Sequence, residues 1–167
     1  MGGGILPLAI HNNQFYFLFS REVYHNNKSD DITEYRWSDF GGKKDNNETY
    51  FETALREGFE ESNGFLGNIK NIKNLMDHHL ITTIHCNKYN TYIVLIDYDE
   101  DLPKNFEDEF NRVKLVNPEK ICKDGLYEKD KLKWITYKDL ENNIPLFRKH
   151  YVKTIRKIIA SPVFKML

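Results

Sequence analysis

The chain has 167 residues, of which 40% are hydrophobic, 14% aromatic and 29% charged, a composition that suits one domain with an ordinary core and excludes a disordered or low-complexity chain. A formal charge of -1 supplies no global field for gathering a polyanion, so phosphate contacts must come from local basic groups or bound cations. Cys86 and Cys122 lie far apart with no CxxC spacing, which argues against a disulfide framework or a thiolate zinc site.

No apolar stretch approaches the length of a membrane span, and the N-terminus lacks a basic region followed by an apolar core; a single domain over residues 1–167, cytoplasmic and without a membrane partner, is the expectation. Met1-Gly2 has the start of a myristoylation signal, but Leu6 stands where Ser or Thr is required, and the glycines that follow read as a flexible start.

Ile5 to Ile10 is almost wholly apolar, His11 to Gln14 has turn chemistry, and Phe15 to Phe19 is again apolar, the pattern of a β-hairpin. Glu22 to Glu34 is polar without period and reads as a surface loop. After Trp37-Ser38-Asp39-Phe40 and the pair Gly41-Gly42, a polar turn leads into a segment with Phe51, Ala54, Leu55 and Gly58 on one stripe. That is a strand, a loop and a helix, stopped by Asn63-Gly64, residues that tolerate the left-handed conformation.

Ile69 to Met76 fits a short helix or an irregular strand. His79 to Cys86 and Thr91 to Tyr98 flank the turn Asn87 to Asn90 and are β-branched and aromatic, a second hairpin. Leu102 to Val116 has helical spacing at Phe106, Phe110 and Val113, the charged stretch to Asp130 has no clear period, and Trp134-Ile135-Thr136 reads as a last short strand. Leu146 to Ile159 spaces Phe147, Tyr151, Ile155 and Ile158 as an amphipathic terminal helix. Hairpins interleaved with helices indicate a mixed α/β (α+β) domain, with helices packed on the faces of a sheet.

The chemistry-bearing stretch runs from Gly42 through Glu48 to Arg56-Glu57 and Glu60-Glu61. Residues three and four apart are neighbours on a helix, so Glu57, Glu60 and Glu61 crowd one patch, at a cost of about 0.2–0.5 kcal/mol per like-charged pair. Arg56 answers part of that charge. The remaining carboxylates make an oxygen-rich site suited to a hard cation such as Mg²⁺, which bridges phosphate oxygens and acidifies a bound water. An isolated acidic pair is usually a solvated helix face; six fixed positions at set intervals over this stretch are a far more specific signal.

Gly42, Glu48, Arg56, Glu57, Glu60 and Glu61 match the pattern Gly-x5-Glu-x7-Arg-Glu-U-x-Glu-Glu-x-Gly-U, where U is a bulky aliphatic, and by it the chain resembles the Nudix hydrolases. It departs from that pattern at Gly58, which replaces the first U, and at Asn63, which replaces the late glycine, with Gly64 following. The Trp37 to Gly42 wording resembles in particular Nudix proteins of large DNA viruses. The resemblance implies a Nudix-like α/β/α sandwich with a mixed central sheet, Mg²⁺ or Mn²⁺ as cofactor, Glu57, Glu60 and Glu61 as metal ligands with a backbone carbonyl of Gly41 or Gly42, and Arg56 orienting a glutamate and pairing with Glu48. It implies a general base at Glu57, with Glu128 in reserve ahead of Glu119 and Asp130.

For the phosphates of a small nucleotide-like substrate, Arg21, Arg36, Lys43 and Lys44 are candidates, and Trp37, Tyr16, Phe17 or Tyr89 for stacking a base. The implied reaction is hydrolysis of a phosphoanhydride in a nucleoside diphosphate linked to another moiety. Removal of an mRNA cap or of a β-phosphate from a diphosphoinositol polyphosphate is the alternative within the same chemistry, and the basic residues Arg148, Lys149, Lys153, Arg156 and Lys157 make RNA a possible partner. A non-catalytic nucleotide or RNA binding module is the alternative of another class, and it usually lacks a metal-site glutamate.

Overall fold

The computed structural model describes residues 1–23 and 35–165. Most of the polar loop expected over Glu22 to Glu34 lies outside them. In chain order the elements are β1 (Gly2–His11), β2 (Gln14–Glu22), β3 (Trp37–Ser38), β4 (Phe40–Lys43), α1 (Tyr50–Glu61), α2 (Ile69–His78), β5 (Leu80–Cys86), β6 (Tyr89–Leu95), α3 (Leu102–Val116), β7 (Lys129–Thr136) and α4 (Val152–Ala160).

The described strands form one mixed sheet in the order β3-β2-β1-β6-β5, with β4 pairing β1 and β7 pairing β2. β1 is antiparallel to β2 and β4 and parallel to β6. Its apolar run is explained by burial on both faces: Leu6, Leu8, Phe17, Phe19 and Ile93 pack with Tyr151, Ile155 and Ile158 at α4, whereas Ile5, Leu18 and Val94 pack with Ala54, Ile72 and Phe106 of α1, α2 and α3. The architecture is therefore an α/β/α sandwich. No helix among the described residues is long and apolar enough to cross a membrane.

Local chemistry accounts for most boundaries. Asn12 and Asn13 both take positive φ, which closes the first hairpin with a turn whose twist matches its strands. Ile69 to Met76 lies within a helix, because Asn68 and Asn71 cap its start reciprocally. The second hairpin turns more tightly than expected, with β6 beginning at Tyr89, and the last strand is longer, beginning at Lys129.

The terminal helix is shorter than its periodicity predicts. Phe147 is extended, bridging Trp37, and the Arg148 amide donates to the Trp37 carbonyl. Helical spacing at Phe147 and Tyr151 thus reports burial rather than helix.

The glycine run is not a flexible start. Gly2, Gly3 and Gly4 pair with Lys43, Gly42 and Gly41 on one side and with Tyr89, Asn90 and Thr91 on the other, and all are buried. A Cβ at Gly3 would stand 2.5 Å from the Tyr50 carbonyl oxygen, so a side chain there would push the first turn of α1 off the sheet. Gly3→Val is expected to cost about 1–3 kcal/mol of folding free energy by overpacking, read as a lower urea midpoint at unchanged m-value.

Candidate active site

Thr49 and Glu52 cap the start of α1 in a reciprocal capping box. Asn63 and Gly64, at φ 50° and 82°, end the segment. Asn63 also accepts from the Tyr127 amide at 2.9 Å, so the residue in place of the late glycine ties the loop carrying Glu128 to the end of the helix. At the other departure, a Cβ on Gly58 would lie 2.5 Å from Ile5 Cδ1: here α1 rides close on β1, where a bulky aliphatic has no room.

Arg56 organises the acidic face. Its Nε donates to Glu48 Oε1 at 2.7 Å, Nη2 to Glu48 Oε2 at 3.1 Å and to the Lys43 carbonyl at 3.1 Å, and Nη1 to Glu57 Oε1 at 2.9 Å and Glu60 Oε2 at 3.0 Å. One guanidinium thus joins the end of β4, the loop before α1 and two helical carboxylates, using the planar fork that lysine lacks. Hydrogen bonding from Arg56 holds Glu48 down at about 2.

Glu57 is the least exposed of the carboxylates that Arg56 bonds. A Cβ at Gly42 would collide with its oxygens, so only glycine lets the β4 backbone lie against it. Burial pushes Glu57 up to about 7; Arg56 opposes that shift, and Glu60 and Glu128 add to it. Glu61 turns the other way, into the sheet. It is 3% exposed, accepts from the Gly41 amide at 2.6 Å and lies 3.1 Å from the Lys129 ammonium. Burial drives its pKa up, against the pull of Lys129.

The structure adds residues that the sequence did not single out. Lys129, at the start of β7, is fully buried between Glu61 and Glu22, 2.6 Å from the latter, and Arg148 reaches the same Glu22 oxygen at 3.0 Å. Burial alone would lower the Lys129 pKa, but the two glutamates together raise it, so it stays an ammonium. Asp39, just before the Gly41-Gly42 segment, is buried and accepts from the Tyr89 hydroxyl and the Thr91 hydroxyl, each at 3.0 Å. Burial raises Asp39 to about 6, with both hydrogen bonds opposing. For Asp39 the only sequence signal is a charge embedded in a strand pattern, which does not say which face it takes, and Lys129 lies in the charged stretch that has no clear period.

The other expected site residues part company. Arg21 makes a two-pronged ion pair with Asp130 at 2.7 and 2.8 Å, and Arg36 bonds the Glu22 carbonyl and reaches Asp130 at 3.3 Å. Both are buried, lining a separate recess of about 240 Å³, so they brace β2, β3 and β7 rather than face the acidic cluster. Trp37, 5% exposed, belongs to the core, as does Phe17, while Tyr16 packs against His11 and Tyr98; none presents a free ring face beside Glu57. Lys43 is exposed at the end of β4, and Lys44 is half-buried with its amide on the Met1 carbonyl. Of the reserve bases, Asp130 is spent on Arg21, Glu119 is exposed on a short turn, and Glu128 acts electrostatically on Glu57.

Among the described residues no three His, Cys, Asp or Glu side chains are grouped, as they lie, to hold a metal ion. The donor chemistry nevertheless fits a hard divalent cation: every nearby donor is an oxygen, and Glu57 and Glu60 converge on one Arg56 nitrogen, a positive charge that a cation can replace. The NUDIX domain model matches residues 8–139. The chain belongs to the NUDIX domain family. Among solved structures, this Nudix chain is similar to a C. elegans Ap4A hydrolase binary complex, with a TM-score of 0.52 and 15% identity over 95% of this chain and 94% of that one. It is also similar to the M. smegmatis Nudix hydrolase RenU, at TM-score 0.44 and 12% identity over 98% and 88% of the two chains. The NUDIX domain of Shewanella oneidensis NrtR complexed with ADP ribose aligns at TM-score 0.45 and 14% identity over 93% and 85%. Comparison with curated protein sequences finds no match. At 15% identity the likeness to the C. elegans structure speaks for the fold alone, an α/β arrangement with a mixed sheet.

Proposed function

We propose that this Nudix chain is a pyrophosphohydrolase that cleaves a phosphoanhydride bond in a nucleoside diphosphate linked to another moiety, by water attack on phosphorus supported by Mg²⁺ or Mn²⁺. The observation that carries the reading is the set Glu57, Glu60 and Glu61 around Arg56 and the Gly41-Gly42 backbone. Burial and mutual repulsion keep Glu57 and Glu61 reluctant to ionise in the absence of a cation, a state that a bound divalent ion relieves.

In this reading Glu57, Glu60 and Glu61 would hold the cation with a carbonyl of Gly41, and such an ion would supply charge neutralisation and acidify a water. Arg56 is a positioning residue, holding Glu57 against β4 and, through Glu48, anchoring the loop before the helix. Glu57 takes the proton of the attacking water, with Glu128 as the reserve base. Lys43 serves the substrate phosphates.

The test is product release from a panel of nucleoside diphosphate derivatives, including the dinucleoside tetraphosphate named for the C. elegans relative. Turnover is expected with millimolar Mg²⁺ or Mn²⁺ and a fall to background in EDTA. Turnover of equal rate in EDTA would refute the proposed chemistry.

A further inference from the structure

Beside the Gly41-Gly42 segment lies a cleft of about 430 Å³, within the usual size of a small-ligand site. Three separate parts of the chain bring basic side chains to it: Lys43 at the end of β4, Lys88 at the tip of the β5–β6 hairpin, and Arg148 and His150 before α4. No Asp or Glu among the described residues lines it, although the chain as a whole carries 25 acidic and 24 basic residues. The acidic cluster and the basic cleft thus meet at one glycine pair: Gly42 lies against Glu57 and also lines the cleft.

Ring recognition has little to work with in the cleft. Tyr89 is its one aromatic lining residue among those described; its hydroxyl is bound to Asp39, and its ring meets Tyr151 edge-on. Trp37 and Phe17 are in the core. Lysine side chains around a cavity that no Asp or Glu lines among the described residues select anions, with Arg148 sharing its charge with Glu22, whereas stacking a base needs an exposed ring face.

We infer that this cleft binds a phosphate-bearing part of the substrate beyond the scissile anhydride, so that compounds carrying further phosphates are preferred to simple diphosphates. The inference rests on the hydrolase reading for its scissile bond, but not for the cleft itself. The further phosphates can belong to a longer linear polyphosphate chain or to a phosphorylated polyol ring; the charge recognition is the same, and the experiment separates them.

Inorganic tripolyphosphate, titrated calorimetrically into the whole chain in EDTA, reads the cleft without turnover. Lys43→Gln and Lys88→Gln are each expected to weaken it about tenfold, the loss of one charge-assisted phosphate contact, and Lys104→Gln, on the exposed face of α3, to leave it unchanged. In turnover with Mg²⁺, Lys88→Gln raises KM about tenfold more for a further-phosphorylated substrate than for a dinucleoside diphosphate. If that difference appears with a dinucleoside tetraphosphate, the chain phosphates are the ligand; if it appears with a diphosphorylated polyol phosphate, the ring phosphates are. Tripolyphosphate affinity unchanged in the double Lys43→Gln, Lys88→Gln variant, or KM raised equally for every substrate, overturns the inference. Lysine-dependent tripolyphosphate binding with no turnover of any substrate would sink the hydrolase reading and leave the cleft standing.

Discussion

Glu57→Gln is expected to lower kcat for metal-supported hydrolysis by about 10³-fold, within the range for removing a general base. The loss is kinetic rather than structural. The amide has the shape of the carboxylate, Arg56 still bonds Glu48 and Glu60, and the replaced group is one that burial already drives toward its neutral form. Without metal, the variant should therefore be at least as stable as the parent at pH 8. Steady-state kinetics and Mn²⁺ affinity of Glu57→Gln and Glu128→Gln side by side separate the roles: loss of kcat with Mn²⁺ affinity kept marks a base that is not a ligand, and Glu57→Gln, which removes both roles, is expected to lose both. Retention of kcat within tenfold in Glu57→Gln would refute its role.

The second large effect concerns folding. Lys129→Met removes the only ammonium within bonding distance of the Glu61 carboxylate among the described residues and leaves Glu22 with Arg148. Breaking a buried ion pair from one side costs about 3–5 kcal/mol, since the remaining charge is stranded. The cost depends on pH. Glu61 holds its proton more tightly folded than unfolded, so its contribution to stability is present below the ordinary carboxylate value and is lost as pH rises through its folded value. Lys129, with its own pKa raised, contributes stability that persists until pH climbs past the ordinary lysine range. Chemical denaturation should therefore show a larger deficit for Lys129→Met at pH 8 than at pH 5, and Lys129→Met combined with Glu61→Gln should recover part of it. An equal deficit at both pH values, without recovery, would mean that lost packing rather than stranded charge is responsible.

Much of this molecule is legible in the order of its residues. The interval from Arg56 to Glu60 places the two side chains together once the segment is a helix, because one local geometry sets it, and Glu48 reaches Arg56 from the loop just before that helix. Asn12-Asn13 and Asn63-Gly64 mark a turn and a helix stop through their own backbone preferences. The failures are where distant strands decide. Gly2 to Gly4 look like slack until β4 and β6 close on both sides of them. Arg21 and Arg36 look free for phosphate until β7 delivers Asp130, over 90 residues later, to pair with them. Lys129 sits between Glu128 and Asp130 in a charged run that reads as surface, and the register of β7 against β2 buries it. The helical spacing of Phe147 and Tyr151 signals their burial correctly and their backbone wrongly, since a helix and a bent segment can point the same residues inward.

If the crowded carboxylates of α1 hold a divalent cation, as proposed, protons report its binding. Glu57 titrates near 7 in the cation-free protein, and Glu61 is also raised, so a cation that needs both as carboxylates must displace protons already bound. Calorimetric titration of Mn²⁺ into the whole chain at pH 7, repeated in buffers of different ionisation enthalpy, should show release of about one proton per binding event, falling toward zero when Glu57→Gln and Glu61→Gln are combined. Mn²⁺ binding that releases no protons, or that is undiminished in the double variant, would contradict the account.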